Sequence, residues 1–532
     1  MSRSAIAVGV VCLVLGIVAP LASAQDVVRT IEGEVPSEGD YFVIPFEVPE
    51  GVVEIEVRHD DLSEANILDW GLFDPSGFRG YGGGNTEPAI VGTGAASRSY
   101  LPGPITPGTW SVYVGKARIE EAPARYRVEI VLRETATLAP QPERAPYAAV
   151  DALDTEARWY AGDFHVHSRE SGDAAGTLDE IAMVAESIDL DFVMLSEHNT
   201  TSQLELYAAT QAAFPALLLV PGIEVTTYQG HAMSLGGTTW VDHRLGFEGV
   251  TMQEIAGAVH DDGALFSINH PSLNLGDACI GCAWSATLDG DAIDAIEIQT
   301  GALSVTSLFL PRTIARWEEL VAAGHRVVAL GGSDDHRAGT GTGRFDSPIG
   351  SPTTMVWAEE LSVAAILEGV RRGRTVVKLA GADDPMVELS SPELGPDDDT
   401  IVADVVTLRV RVTGASLGAS LRLVFSGVPG EEIEVVGDPF EHETTIIAGA
   451  SEDFVRAELL IGGRPRVITN HLFVRPSTPG GPDAGVASDA GTSGEPGGGG
   501  CSCRVMHAPS GSSAWVAIGI GLVIAIRRRR SA

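Results

Sequence analysis

Residues 192–199, Phe-Val-Met-Leu-Ser-Glu-His-Asn, run from four apolar side chains into a carboxylate, an imidazole and an amide. A short apolar run bounded by polar residues reads as a buried strand. Its polar end, Glu197-His198-Asn199, then sits on the rim of whatever sheet buries it. Four more stretches between about residues 155 and 340 repeat the pattern. They carry His165-Val166-His167 with Asp173 close behind, Glu224 followed by Gly230-His231, Asn269-His270-Pro271, and Ser333-Asp334-Asp335-His336. Imidazole and carboxylate are the usual ligands of a hydrolytic metal centre. Five such clusters, each after a strand-like segment, imply strands that deliver ligands to one rim, and hence metal-dependent hydrolysis.

Helical segments separate several of these strands. Thr177-Leu178-Asp179-Glu180 and Thr251-Met252-Gln253-Glu254 are capping boxes, each opening an amphipathic stretch. Further helices are expected over Thr313–Ala323 and Ser362–Arg372, with strands at Ile293–Ile298, Thr354–Trp357 and Thr375–Val377. Repeated strand–helix units imply a parallel sheet or barrel over 155–380, with the clusters at the C-terminal strand ends.

The flanks differ. Residues 25–145 show short alternating runs between turn signals such as Asp74-Pro75-Ser76-Gly77, which predicts a β-sandwich of jelly-roll type. Residues 383–475 return to strand character, and a small immunoglobulin-like β domain is expected there. Gly414-Ala415-Ser416-Leu417-Gly418 matches a nucleophile-elbow pattern, but no helix follows it. Residues 1–24 read as a signal peptide with Arg3, an apolar core and Ala22-Ser23-Ala24. Residues 476–500 have a Gly/Pro/Ser linker composition. The last segment, 501–532, holds Cys501-Ser502-Cys503, an apolar run and Arg527–Arg530, and reads as a sorting or anchor tail. These ends predict export and retention at the cell envelope, with the envelope's sorting machinery as a partner.

The formal charge is −37, from 35 basic against 72 acidic residues. Such a surface repels phosphate backbones and argues against nucleic-acid binding as the main role. A small anionic substrate remains compatible, because bound metal ions reverse the local field. Of the five cysteines, Cys279 and Cys282 form a C-x-x-C. In a cytosolic chain that spacing suggests redox or zinc chemistry, and in an exported one a local disulfide.

His-x-His-Ser, Glu-His-Asn, Gly-Ile-Glu with a following Gly-His, Asn-His-Pro and Ser-Asp-Asp-His occur here in the order in which they resemble the PHP (polymerase and histidinol phosphatase) superfamily. The flanking β domain and Gly222-Ile223-Glu224-Val225 are most similar to its CehA/McbA branch, and the C-terminal tail resembles MYXO-CTERM tails. The resemblance implies a distorted (β/α)7 barrel with two or three divalent metal ions (Zn, Mn or Fe). It implies His165, His167, Asp173, His198, Glu224, His231, His270, Asp334 and His336 as ligands, with Glu224 bridging. The chain departs from the pattern at Glu197, where relatives often carry Asp, and at Gly172-Asp173, where they often show Ser-Asp-Gly.

Divalent ions held by imidazoles and carboxylates lower the pKa of bound water toward neutrality, and the hydroxide so formed attacks an electrophilic centre. Asp334 is suited to accept a proton from that water, and His198 or His231 to carry one to the leaving group. Arg169 and Arg337 are candidates for holding an anionic small-molecule ester. The leading expectation is a phosphoesterase. A carboxylic or carbamic ester hydrolase on the same fold is the alternative within the enzyme class. A non-catalytic envelope binding protein with a relic barrel is the alternative outside it, and the retention of a ligand-type residue in every cluster argues against that reading.

Overall fold

The alternating runs at the N-terminal end form eight strands: β1 (Val27–Glu34), β2 (Tyr41–Val48), β3 (Glu54–Asp60), β4 (Ile67–Asp74), β5 (Gly77–Gly83), β6 (Ala89–Gly92), β7 (Gly108–Arg118) and β8 (Arg125–Arg133). They hydrogen-bond into two antiparallel four-stranded sheets, ordered β1-β8-β3-β6 and β2-β7-β4-β5. Both sheets send side chains into one core, among them Phe46, Ile55, Trp70, Trp110 and Ile130. This computed structural model describes residues 26–477 apart from 277–278, 342–346 and 396–397. The expected signal peptide, the tail from 501 and all but two residues of the linker therefore lie outside the described residues.

The central region contains β9 (Arg158–Val166), β10 (Phe192–His198), β11 (Leu218–Thr227), β12 (Gly230–Leu235), β13 (Leu265–Ile268), β14 (Ala295–Thr300) and β15 (Val328–Gly332), neighbours in that order. The helices are α1 (Leu178–Ser187), α2 (Tyr207–Ala213), α3 (Met252–Asp261), α4 (Leu303–Thr306), α5 (Leu310–Ala322) and α6 (Val363–Arg371). Both capping boxes form: Thr177 and Thr251 each accept the N3 backbone N–H while Glu180 and Glu254 reach back. Such caps contribute about 1 kcal/mol each. The buried faces of α1 (Leu178, Ile181, Ala182, Ala185) and α3 (Met252, Ile255, Ala256, Val259) follow the helical repeat.

The regular strand–helix alternation expected of a (β/α)7 barrel holds only in part. Pairs β9/β10, β10/β11, β13/β14 and β14/β15 are parallel, but β11/β12 and β12/β13 are antiparallel. The reason is local. Gly230, at φ +151°, allows a tight turn after Thr227 that returns the chain directly as β12. The first and last strands of the set meet beyond their ends. Val166 bridges Asp335 in parallel, Asp334 N–H donates to His165 C=O at 2.7 Å, and His167 N–H donates to Asp335 C=O at 2.9 Å.

The C-terminal region also differs from the separate small domain expected. Strands β16 (Thr353–Ala358) and β17 (Thr375–Lys378) extend the central sheet beyond β9. Strand β18 is Met386–Ser390, β19 Thr400–Val402, β20 Val405–Thr413, β21 Ala419–Phe425, β22 Val428–Glu434, β23 Phe440–Ile447, β24 Asp453–Ile461, β25 Arg464–Thr469 and β26 Leu472–Arg475. Strand β25 pairs with β17, so β24, β21 and β22 continue the central sheet. Among the described residues of this region, β18-β20-β23 form a separate three-stranded sheet. Val387, Leu408 and Leu459 share one buried cluster with Ile181 and Leu195 of the central region. The molecule is thus multidomain and rich in strands, with one sheet running from the central region into the C-terminal one. No helix among the described residues is long and apolar enough to cross a membrane.

Candidate metal centre

Glu224 lies at the middle of the ligand-type residues. Parallel register places it directly beside His198, and the β11–β12 turn places Thr226 opposite His231. His165 is the penultimate residue of β9 and His167 follows it. His270 comes two residues after β13, and Asp334 and His336 follow β15. Five imidazoles surround the Glu224 carboxylate. His198 Nδ1 is 2.9 Å from Oε2, His270 Nε2 3.2 Å from Oε1, His165 Nε2 and His231 Nδ1 3.4 Å from Oε1, and His167 Nε2 3.5 Å from Oε2. Asp334 Oδ1 lies 3.3 Å from His165 Nε2, 3.2 Å from His167 Nε2 and 3.6 Å from His336 Nδ1. Asp173 closes the outer side, with Oδ2 3.4 Å from both His198 Nε2 and His336 Nε2. All nine expected ligand positions therefore converge. Arg169 and Arg337 are exposed.

The donor set fits divalent cations. His165 Nε2 and His167 Nε2 face each other at 3.1 Å, so two ring nitrogens point at shared space. The subsets His165/His167/Asp334, His165/Glu224/His270 and His167/His198/His336 each bring three ligand atoms within 4.8 Å of one another. Burial opposes charge on His165, yet the carboxylates of Glu224, Glu297 and Asp334 hold its pKa well above the usual range. Burial together with His336 and His198 pushes His167 down to about 3. Burial works to raise Glu224, but His165 and His231 hold its carboxyl well below the ordinary carboxylate range. A buried cluster so rich in carboxylate is electrostatically completed by positive charge.

The backbone is strained at the site. Asn199, His270 and Asp334 have φ of +53°, +27° and +56°, a region that side-chain-bearing residues seldom occupy. Strain of this kind persists where the surrounding structure fixes it, and such places are often functional.

Several supporting residues escaped the sequence reading. Glu297, inside β14, contacts His165 Nδ1 at 3.2 Å and accepts the His270 backbone N–H at 3.0 Å. Ser171 Oγ lies 2.9 Å from His167 Nδ1 and accepts the His198 N–H at 2.9 Å. Asn269, named in sequence only as the neighbour of His270, donates to Glu224 Oε1 at 2.8 Å. Asp163 accepts the N–H of His165 and of Ser333, each at 3.0 Å, which ties β9 to the end of β15. A lone charged residue within an apolar strand is the one signal that marks Glu297 in sequence. Glu197, expected outside the ligand set, is engaged by Ser168: it accepts Ser168 N–H and Oγ–H, and burial pushes it up to about 8.

The N-terminal sheets form a wall beside this centre. Ser99 N–H donates to Glu170 at 3.1 Å, Thr200 Oγ donates to Ser99 C=O at 2.9 Å, and Trp240 stacks on Phe78. The Tyr228 hydroxyl donates to Asp69 Oδ2 at 2.7 Å. Burial pushes Asp69 up to about 6, tempered by Tyr228 and Tyr81 and by the charge of His198. Nothing in the sequence marked Asp69, because its hydroxyl partner Tyr228 comes from the β11–β12 turn, 159 residues away.

Outside the cluster, His260 pairs with Asp294 at 2.8 Å, His325 with Asp291 at 2.6 Å, and His471 packs on Trp317. Cys279 and Cys282 are joined as a disulfide.

No family model matches the chain, and no curated protein is significantly similar to it. Solved structures give weak likenesses. A two-domain protein from Bacteroides vulgatus, described as containing a predicted PHP-like metal-dependent phosphoesterase, is 16% identical over 63% of this chain and 100% of its own, with a TM-score of 0.33. A putative metal-dependent phosphoesterase from Bifidobacterium adolescentis is 15% identical over 35% of this chain and 92% of its own, with a TM-score of 0.25. An amidohydrolase from Chromobacterium violaceum is 15% identical over 35% and 89%, with a TM-score of 0.24. Similarity at this level does not carry a function from one chain to another.

Proposed function

We propose that this chain is an exported, metal-dependent phosphoesterase of the PHP superfamily, in its CehA/McbA branch, retained at the cell envelope by its C-terminal tail. The observation that carries the enzymatic reading is the convergence of five imidazoles on the buried Glu224 carboxylate, with Asp334 and Asp173 closing the set. We read the strands β9 to β15, which meet at the Val166–Asp335 bridge, as the distorted (β/α)7 barrel of that superfamily. The export and sorting assignments are supported by the sequence of the two ends.

Two or three divalent ions (Zn, Mn or Fe) would be held by His165, His167, Asp173, His198, Glu224, His231, His270, Asp334 and His336, with Glu224 shared between them. Bound there, such ions supply water acidity near neutral pH and positive charge opposite the ester oxygens. Asp334, between the His165 and His167 ring nitrogens, takes the proton of the attacking water. His198 is the better of the two proton carriers to the leaving oxygen. Its side chain is 16% exposed, whereas His231 is buried and commits Nε2–H to the Ile280 carbonyl at 3.1 Å. Arg169 and Arg337, exposed beside the cluster, hold the anionic end of a small-molecule ester.

The test is elemental analysis of the purified full chain together with hydrolysis of p-nitrophenyl phosphate, a phosphodiester and p-nitrophenyl acetate, with His165→Ala as control. Two or more metal ions per chain, with phosphoester cleavage lost in the variant, is the expected result. Cleavage of the acetate alone would move the assignment to carboxylic or carbamic esters. No metal and no turnover, after supplying Mn and Zn, would leave a binding protein.

A further inference from the structure

The loop after His270 brings sulfur to the edge of the centre. Cys282 is fully buried, and its Sγ lies within 4.8 Å of a ring nitrogen of His231 and of His270, which are equally close to each other. Two imidazoles and a sulfur at that spacing are a metal-binding set of the Cys/His type. In the disulfide, however, Cys282 offers no thiolate, and the thiolate is the form that ligates.

The position of Cys282 does not depend on the disulfide. His231 Nε2–H donates to the Ile280 carbonyl at 3.1 Å, and Trp284 N–H to the Pro271 carbonyl at 3.0 Å. Ser285 and Ala286 N–H both donate to the Gln229 carbonyl, at 2.7 and 2.9 Å. Gly281, at φ +82°, presses on the β11–β12 turn so closely that a Cβ there would sit 2.2 Å from the Thr227 carbonyl oxygen. These contacts flank Cys282 on both sides and anchor it to β12, which carries His231, and to the loop that carries His270. Each imidazole also carries a nitrogen able to ligate, and that of His231, Nδ1, faces Glu224 Oε1 at 3.4 Å as well. Donation from Nε2 leaves His231 Nδ1 as an unprotonated donor, and His270 Nδ1 is a buried nitrogen without a hydrogen-bond partner in the structure.

We propose that His231, His270 and Cys282 form a sulfur-containing metal position that exists only when the Cys279–Cys282 disulfide is reduced, and that takes a thiophilic divalent cation such as Zn(II) or Co(II). The inference rests on the reading of His231 and His270 as members of the metal centre. The reductant is a dithiol. Its two S–H groups become a disulfide, their two electrons open the Cys279–Cys282 bond, and each cysteine sulfur leaves with a proton. Cys282 then releases its proton to solvent as it ligates. With the bond closed, the centre offers only nitrogen and oxygen, which suits Mn(II) or Fe(II) as well as Zn(II). With it open, the thiolate shifts preference toward softer ions. In an oxidising compartment the disulfide therefore keeps sulfur out of the centre.

Co(II) added to the full chain, followed by absorption spectroscopy, tests this without any substrate. Oxidised wild type is expected to show only the weak visible bands of nitrogen- and oxygen-ligated Co(II). Wild type reduced with a phosphine and desalted, and Cys279→Ser without reductant, are each expected to add an intense near-ultraviolet thiolate-to-Co(II) band at one equivalent. The band is expected to vanish in reduced Cys282→Ser, which separates it from Cys501 and Cys503. Visible bands without the near-ultraviolet band in both reduced wild type and Cys279→Ser would overturn this inference alone, as would a band that survives in Cys282→Ser. Absence of Co(II) binding in every form would overturn it together with the metal-centre reading. The phosphine-reduced wild type keeps the test decisive if Cys279→Ser does not fold.

Discussion

The Glu297 carboxylate lies 3.2 Å from His165 Nδ1, on the side of the ring facing away from Glu224. It also accepts the His270 backbone N–H, so one buried acid braces two candidate ligands. A carboxylate there fixes the proton on Nδ1 and turns Nε2, as a lone pair, toward the centre. Glu297→Ala is expected to weaken metal binding by roughly 10–100-fold, the range typical of such buttresses. Glu297→Gln, which still accepts a hydrogen bond, should lose less. Competition with a chromogenic chelator measures both, and unchanged affinity in Glu297→Ala would remove Glu297 from the site.

Asp334, the proposed base, is suited to a conservative substitution. Its φ of +56° is a conformation that Asn also tolerates, so Asp334→Asn keeps the backbone while removing the base. The turnover number for the phosphoester is expected to fall by about 10²–10⁴-fold, with KM changed much less. Circular dichroism should stay near wild type, and assays at saturating metal separate loss of the base from loss of a ligand carboxylate. A variant that retains full turnover would assign the proton transfer to another group.

The ligand-type clusters were legible because each ends a short apolar run, and a buried strand has only its ends to offer to solvent. The helix starts at Thr177 and Thr251 were legible because capping is settled within four residues. What was not legible depends on pairing at long range. Val376 bonds across to Thr469, so the C-terminal strands continue the central sheet, and nothing in either segment encodes that partner. The antiparallel return of β12 turns on one glycine conformation at Gly230. Glu297 sits inside a strand read only as Ile293–Ile298, with no metal-type cluster at its end, and Asp69 acquires its place only when the N-terminal sheets dock.

Because the candidate ligands come from six different strand ends, cation binding should stabilise the folded central region as a whole. Linkage predicts about 2.7 kcal/mol of added stability at a free-ion concentration one hundred times Kd. Chelator treatment should accordingly lower the unfolding midpoint of wild type, and Mn(II) or Zn(II) should restore it. His165→Ala should show neither response. Scanning calorimetry checks this, and equal midpoints with chelator and with metal in wild type would contradict the assignment.

His243 provides a pH test at the seam between the N-terminal sheets and the central region. It is fully buried between Tyr41, Tyr81 and Tyr113 of the N-terminal sheets and Trp240, with ring centroids 4.8 to 6.2 Å away. Neither ring nitrogen has a hydrogen-bond partner in the structure, and burial drives its pKa from 6.5 down to about 3. The neutral ring is what the seam accepts. Between these two values the unfolded chain binds a proton that the folded chain does not, so stability rises with pH. The contribution is complete above pH 6.5 and is lost as the pH falls toward 3. Between about pH 7.5 and 4.5 this single group should cost roughly 3 kcal/mol. His243→Phe, which keeps an aromatic ring in the cage and cannot ionise, is expected to lose less stability than wild type by about that amount over the same interval. Urea unfolding at several pH values reads the difference directly, and parallel pH profiles for the two proteins would show that His243 ionises in place without disturbing the seam.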